Sequence, residues 1–124
     1  MSDAIEIASW ILLGTGSIFC VIGGIGLLRF PEFYSRMHAA GITDTLGTAL
    51  LILGMLVYHE GGLVTKYLEG ALDVQGLFQG SLVSIKLIMI LAILWLTSPA
   101  SAHAIAKAAR SAGQKPMLNS EPDP

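Results

Sequence analysis

Residues 7–28, IASWILLGTGSIFCVIGGIGLL, contain no charged side chain. A helix of about 20 apolar residues crosses the roughly 30 Å hydrocarbon core of a bilayer, so this block reads as a transmembrane helix. Gly14, Gly16, Gly23, Gly24 and Gly26 would weaken a helix in water, but in lipid small residues let neighbouring backbones approach closely. The run Gly23-Gly24-Ile25-Gly26 lies inside this apolar block with no strand before it, so it is not a nucleotide-binding loop. Asp3 and Glu6 stand ahead of the block where a signal peptide carries basic residues. The block is therefore expected to remain as a membrane anchor.

Two further apolar blocks follow. Residues 46–58, LGTALLILGMLVY, are too few to cross a bilayer, so their helix must start upstream among polar residues, with Thr43 or Asp44 capping or entering it. Gly61 and Gly62 supply a C-terminal stop. The third block starts near Val74 or Gly80 and is interrupted only by Lys86 before Pro99. Prolines are tolerated within membrane helices and ASAHAIAKAA beyond Pro99 favours helix, so a helix kinked at Pro99 is expected to continue to about residue 106. The predicted fold is an all-α integral membrane protein of three transmembrane helices, spans about 5–28, 42–59 and 78–106. One domain covers residues 1–112, and the polar, proline-containing residues 113–124 read as a disordered cytoplasmic tail.

Arg29 and Arg36 lie between the first two spans, and Lys107, Arg110 and Lys115 follow the third, whereas Glu60, Glu69 and Asp73 outnumber Lys66 in the second connection. By the positive-inside tendency the N-terminus is outside and the C-terminus cytoplasmic. The whole chain of 124 residues is 53% hydrophobic and 13% charged, against about 25% charged in a soluble domain. That excludes a water-facing globule. A net charge of -2 with dispersed cations gives no nucleic-acid surface. Cys20 is the one cysteine and reads as a packing residue. His38, His59 and His103 lack ligand spacing, so no metal site is expected. No catalytic constellation or cofactor motif is present, and enzymatic activity is not expected.

The connection RFPEFYSRMHAAGITDTLG, residues 29–47, is more specific than a linker requires. Pro31 suits the first turn of a helix, on which Phe30, Phe33, Tyr34 and Met37 form an apolar stripe with Glu32 and Arg36 at i, i+4 on the other side. This is either an interfacial helix or a docking surface. His38 and Asp44 fall where it meets the second span; each either holds or passes a proton or cation, or is a hydrogen-bonded interface residue and a helix N-cap respectively. Lys86 is either a buried charge facing another subunit's carboxylate or an ion path, or, if the third helix runs past Pro99, a residue near the outer interface that snorkels. His103 either caps the carbonyl freed by Pro99 or anchors at the interface.

The stretch GLLRFPEFYSRMHAAGITDTLG, together with LTSPASAHAIAKAA after an apolar span carrying a lysine, resembles the G subunit of Mrp-type multisubunit cation/proton antiporters. The specific element is R-x-P-[DE]-x-x-x-R-x-H-A followed by T-L-G. The resemblance covers roughly residues 14–109 and matches at Arg29, Pro31, Arg36, His38, Ala39, Thr45, Leu46, Gly47, Lys86, Pro99 and His103, with Glu32 where the family often has aspartate. Residues 41–44 are variable in the family. The resemblance implies a three-helix accessory subunit of a large bacterial inner-membrane complex that exchanges Na⁺, or sometimes K⁺, for H⁺, with the other Mrp subunits and the bilayer as partners.

Three short spans cannot enclose a continuous ion route, so any path is shared with other chains. On this reading Lys86, His38 and Asp44 line or tune an inter-subunit cation path. Arg29, Pro31, Glu32, Phe33, Arg36, Pro99, His103, Gly23 and Gly26 serve structure and docking. The alternatives are a purely structural assembly subunit that touches no ion and an autonomous homo-oligomeric transporter.

Overall fold

The computed structural model describes residues 2–71 and 73–114. Helix α1 spans Ser2–Arg29, α2 Phe33–Ile42, a π-helical turn Thr43–Gly47, α3 Thr48–Leu68 and α4 Val74–Ser111. Among the described residues three segments are long and apolar enough to cross a membrane: Asp3–Arg29, Phe33–Leu68 and Val74–Ser111. Large apolar side chains such as Ile11, Val21, Trp95 and Leu96 stand exposed around them, and lipid or neighbouring chains are the only media that accept such a surface.

The second span departs from the sequence expectation at both ends. It starts at Phe33 rather than near residue 42, because α2 runs without a break through the π-turn into α3. A π-turn loosens the regular ladder, and in lipid each loosened carbonyl needs a donor. Three threonines provide them: Thr43 Oγ1 donates to the Ala39 carbonyl at 3.3 Å, Thr45 Oγ1 to Gly41 at 2.6 Å and Thr48 Oγ1 to Thr43 at 3.0 Å. Thr43 and Asp44 are thus interior to the helix and cap nothing. Gly61 and Gly62 do not end it either; α3 continues to Leu68 and stops at Gly70, whose φ of 69° is the left-handed conformation of a C-terminal glycine.

The third helix starts earlier than residue 78 and runs through Pro99 to Ser111. The Asp73 carboxylate caps it, accepting from the Gly76 N–H at 2.8 Å. Asp73→Ala is expected to cost about 0.5–2 kcal/mol, read as an earlier midpoint when the detergent-solubilised chain is unfolded by heat. The tail expected over residues 113–124 lies, from Lys115 onward, outside the described residues.

The helices run up, down and up, with the α2–α3 rod in the middle; α1 packs on it, α4 packs on it, and α1 and α4 do not meet. Small residues zip α1 to the rod. A Cβ built on Gly16 would lie 2.9 Å from the Leu51 nitrogen, on Gly26 2.9 Å from the Ala39 Cβ, and on Gly23 2.9 Å from the Ala39 carbonyl oxygen and against the Thr43 hydroxyl. From the other side, a Cβ on Gly47 would meet Cys20 and one on Gly54 would meet Leu13. The alternating three- and four-residue spacing of these contacts is that of helices crossing at a shallow angle. The less exposed positions of α4 keep the same rhythm, through Gly80, Ser84, Leu87, Leu91, Leu94, Ser98, Ala102, Ala106 and Ala109.

Candidate functional site

The helix pairing gathers charges at two levels. At one end Arg29 closes α1, Arg36 lies in the first turns of α2, and Lys107 and Arg110 lie in the last turns of α4. Tyr34 Oη donates to the Gln114 carbonyl at 3.1 Å, and Pro31, Phe33 and Arg36 share a groove with Ile105 and Ala109. At the other end Glu6 of α1, His59 of α3 and Glu69 just past the end of α3 border one cavity. Between Lys86 and Lys107 α4 carries no charge, and α1 carries none between Glu6 and Arg29. The two intervals are about 32 and 35 Å of helix, each enough to cross the roughly 30 Å hydrocarbon core. One pair of planes therefore fits both helices, through Arg29 and Lys107 at the basic rim and through Glu6 and Lys86 at the acidic rim.

Asp44 falls between those planes. Its neighbour Thr43 packs on Gly23, which lies about 9 Å along α1 from Arg29. The Asp44 side chain is exposed on the outside of the three-helix unit and has no hydrogen-bond or ion-pair partner among the described residues. A carboxylate at the centre of a membrane helix costs about 2.5–3.5 kcal/mol on insertion scales, and a two-carbon side chain is too short to snorkel 9 Å.

Lys86 is also exposed and without a partner among the described residues, but it stands at the acidic rim, because α4 continues beyond Pro99. Its long stem reaches water there. His38 is exposed on α2. The three are not brought together: Asp44 and the level of Glu60, near Lys86, are separated by about 24 Å of helix.

The residues of the first connection hold its shape. Glu32 is the N-terminal flank of α2 in extended backbone, and its Oε2 accepts from Ser35 Oγ at 3.1 Å. Pro31 precedes the helix instead of occupying its first turn. Arg36 Nε donates to the Phe30 carbonyl at 2.6 Å, drawing the chain back from α1 into α2. Phe33 stacks edge-on against Tyr34 with centroids 5.7 Å apart. Gly23 and Gly26 face α2 of the same chain. His103 is exposed, and the carbonyl left without its donor by Pro99, that of Trp95, lies about 12 Å away along the axis, so His103 does not cap it.

The sequence reading passed over a polar trio. Ser84, 7% exposed, donates from Oγ to Glu60 Oε1, and His59 Nδ1 lies 3.2 Å from the same Oγ. A second span ending near residue 59 leaves His59 at its last position and Glu60 in the connection, so the sequence does not pair either with Ser84. The heptad-like stripe of α4 was the available signal, since it puts Ser84 on the face turned to α3. In a serine hydrolase the imidazole stands between carboxylate and hydroxyl; here the hydroxyl stands between the other two, an order without nucleophile activation.

A family model described as a Na⁺/H⁺ antiporter subunit matches residues 12–110. The Na⁺/H⁺ antiporter subunit G1 of Staphylococcus aureus (strain Newman) is 35% identical over 106 residues, covering 80% of this chain and 75% of its own length. A provisionally named antiporter subunit, mnhG2, of Staphylococcus haemolyticus is 28% identical over 113 residues, 91% of this chain and 56% of its own. Its counterpart in Staphylococcus saprophyticus is 30% identical over 112 residues, 90% and 64% respectively. The chain thus spans from 56% to 64% of the length of these two mnhG2 relatives.

Proposed function

This chain belongs to the Na⁺/H⁺ antiporter subunit family, and from that premise we propose that it is a small accessory subunit of a multisubunit monovalent cation/proton antiporter of the bacterial cell membrane. The observation that carries the reading is Asp44, a carboxylate held between the rims on the outer face of the unit without a partner of its own. A charge so placed is tolerated where another protein or a hydrated path covers it. The neighbour is therefore another subunit, and Asp44, with His38 nearer the basic rim, is this chain's contribution to an ion route that runs between subunits. Lys86 tunes the field at the acidic rim. The concentration of Arg29, Arg36, Lys107 and Arg110 at one end supports a cytoplasmic basic rim, with the N-terminus outside.

Purifying the tagged chain from its native membrane in mild detergent tests this. Several hydrophobic partners are expected in stoichiometric amounts, and the purified assembly is expected to exchange Na⁺ or K⁺ for H⁺ in liposomes. Recovery of the chain alone, or as a homo-oligomer that transports by itself, would overturn the reading.

A further inference from the structure

We propose that His59, Ser84 and Glu60 form a proton relay between α3 and α4 at the acidic rim; the proposal rests on the antiporter reading above. The Ser84 hydroxyl has one proton and gives it to Glu60 Oε1. Towards His59 Nδ1, 3.2 Å away, the same oxygen can only accept, so Nδ1 carries the proton and the order is Nδ1–H to Oγ–H to Oε1. When His59 is an imidazolium, its Nδ1 proton passes to Ser84 Oγ while the Ser84 proton passes to Glu60. The products are a neutral imidazole protonated on Nε2, an intact serine hydroxyl and a carboxylic acid. One proton has moved from α3 to α3 by way of α4, and no other bond changes.

Two observations give the relay its direction. His59 also lines a cavity of about 490 Å³ between α1 and α3, which supplies the entry side. Ser84 is buried, so water does not short-circuit the middle of the chain. The charged and titratable groups around the trio are Glu6 from α1, Tyr58 and Lys66 from α3 and Glu69 just past its end, all bordering the cavity, and Lys86 on α4, which lies 200° of helix turn away from Ser84. The ligand is a proton and not an alkali cation, because such cations take oxygen ligands and here one of three groups is a nitrogen donor and the hydroxyl lone pairs face it.

The test uses the full chain in nanodiscs and the reconstituted assembly. With ¹⁵N-labelled histidine in alkaline buffer, where Glu60 is ionised, and His59 assigned through His59→Gln, neutral His59 is expected to carry its proton on Nδ1 and to revert to Nε2 in Ser84→Ala; an Nε2 proton in the unsubstituted chain under that condition would overturn the hydrogen-bond order. In the assembly, Ser84→Ala and Glu60→Gln are expected to slow antiport about tenfold and displace its pH profile, with Ser84→Thr restoring both. Antiport with an unchanged pH profile in both variants would overturn the relay and leave a clamp between helices. Loss of assembly in both, with Ser84→Thr also failing, would count against the relay in the same way. Absence of antiport from the unsubstituted assembly would instead sink the antiporter reading, and the histidine signal would still decide the relay.

Discussion

Leucine in place of Gly23 is expected to reduce the amount of folded chain in the membrane at least about tenfold. Even a methyl group there would press on the Ala39 carbonyl at 2.9 Å and on the Thr43 hydroxyl. The hydroxyl cannot turn aside without dropping its bond to the Ala39 carbonyl, and that carbonyl belongs to the turn leading into the π-helical segment. Overfilling a packed contact typically costs about 1–3 kcal/mol, and a branched side chain of four carbons forces α1 off the rod along its length. Gly16→Leu is expected to behave alike, since its obstacles, the Leu51 nitrogen at 2.9 Å and the Gly47 oxygen at 3.1 Å, are backbone. Gly14 and Gly24 have nothing within 4 Å of a built Cβ and serve as controls. Their leucine variants are expected to accumulate normally when the chain is expressed alone, measured by fluorescence-detected size exclusion. Equal loss from all four positions would show that the seam is not what holds α1.

Asp44→Asn is expected to leave assembly intact and lower antiport by at least about tenfold in reconstituted vesicles. The amide keeps the shape of the side chain and its ability to hydrogen-bond but removes the charge that a cation or proton would meet. Asp44→Leu sharpens the test. In the isolated chain it should stabilise, because the insertion cost of the carboxylate, bounded by the roughly 2.5–3.5 kcal/mol of a helix-centre position, disappears. In the complex it should weaken the fit of whatever polar surface faces Asp44. A purely structural subunit predicts the reverse pattern for asparagine, full antiport with assembly unchanged, so the transport assay of this one variant separates the two roles.

The three spans and their order were legible, because each rests on a local property, a long apolar stretch almost free of charge. The boundaries of the second span were not. Thr43, Asp44, Gly61 and Gly62 carry the residue types that end helices in water, and nothing in a linear reading says that three threonine hydroxyls will repair a π-turn or that Gly61 will serve packing against Ile5. The misplacement had a consequence. With Asp44 at a helix start, its carboxylate looked like a cap; with the helix continuous, it is an uncovered charge between the rims.

The depth of Lys86 depends on where the rest of α4 ends: a helix that stopped at Pro99 would leave the charge at mid-membrane, whereas the continuation to Ser111, expected from the sequence as far as about residue 106, puts it near the acidic rim.

Composition and apolar length alone determined that the chain resides in lipid and crosses it three times, because the cost of exposing those blocks to water depends on which residues they contain and hardly on their arrangement. Which polar groups share a level, which touch and which are left facing outward was decided by the tertiary structure. Those relations depend on the register of one helix against another, set here by glycines whose missing side chains only show their purpose when the partner helix is in place.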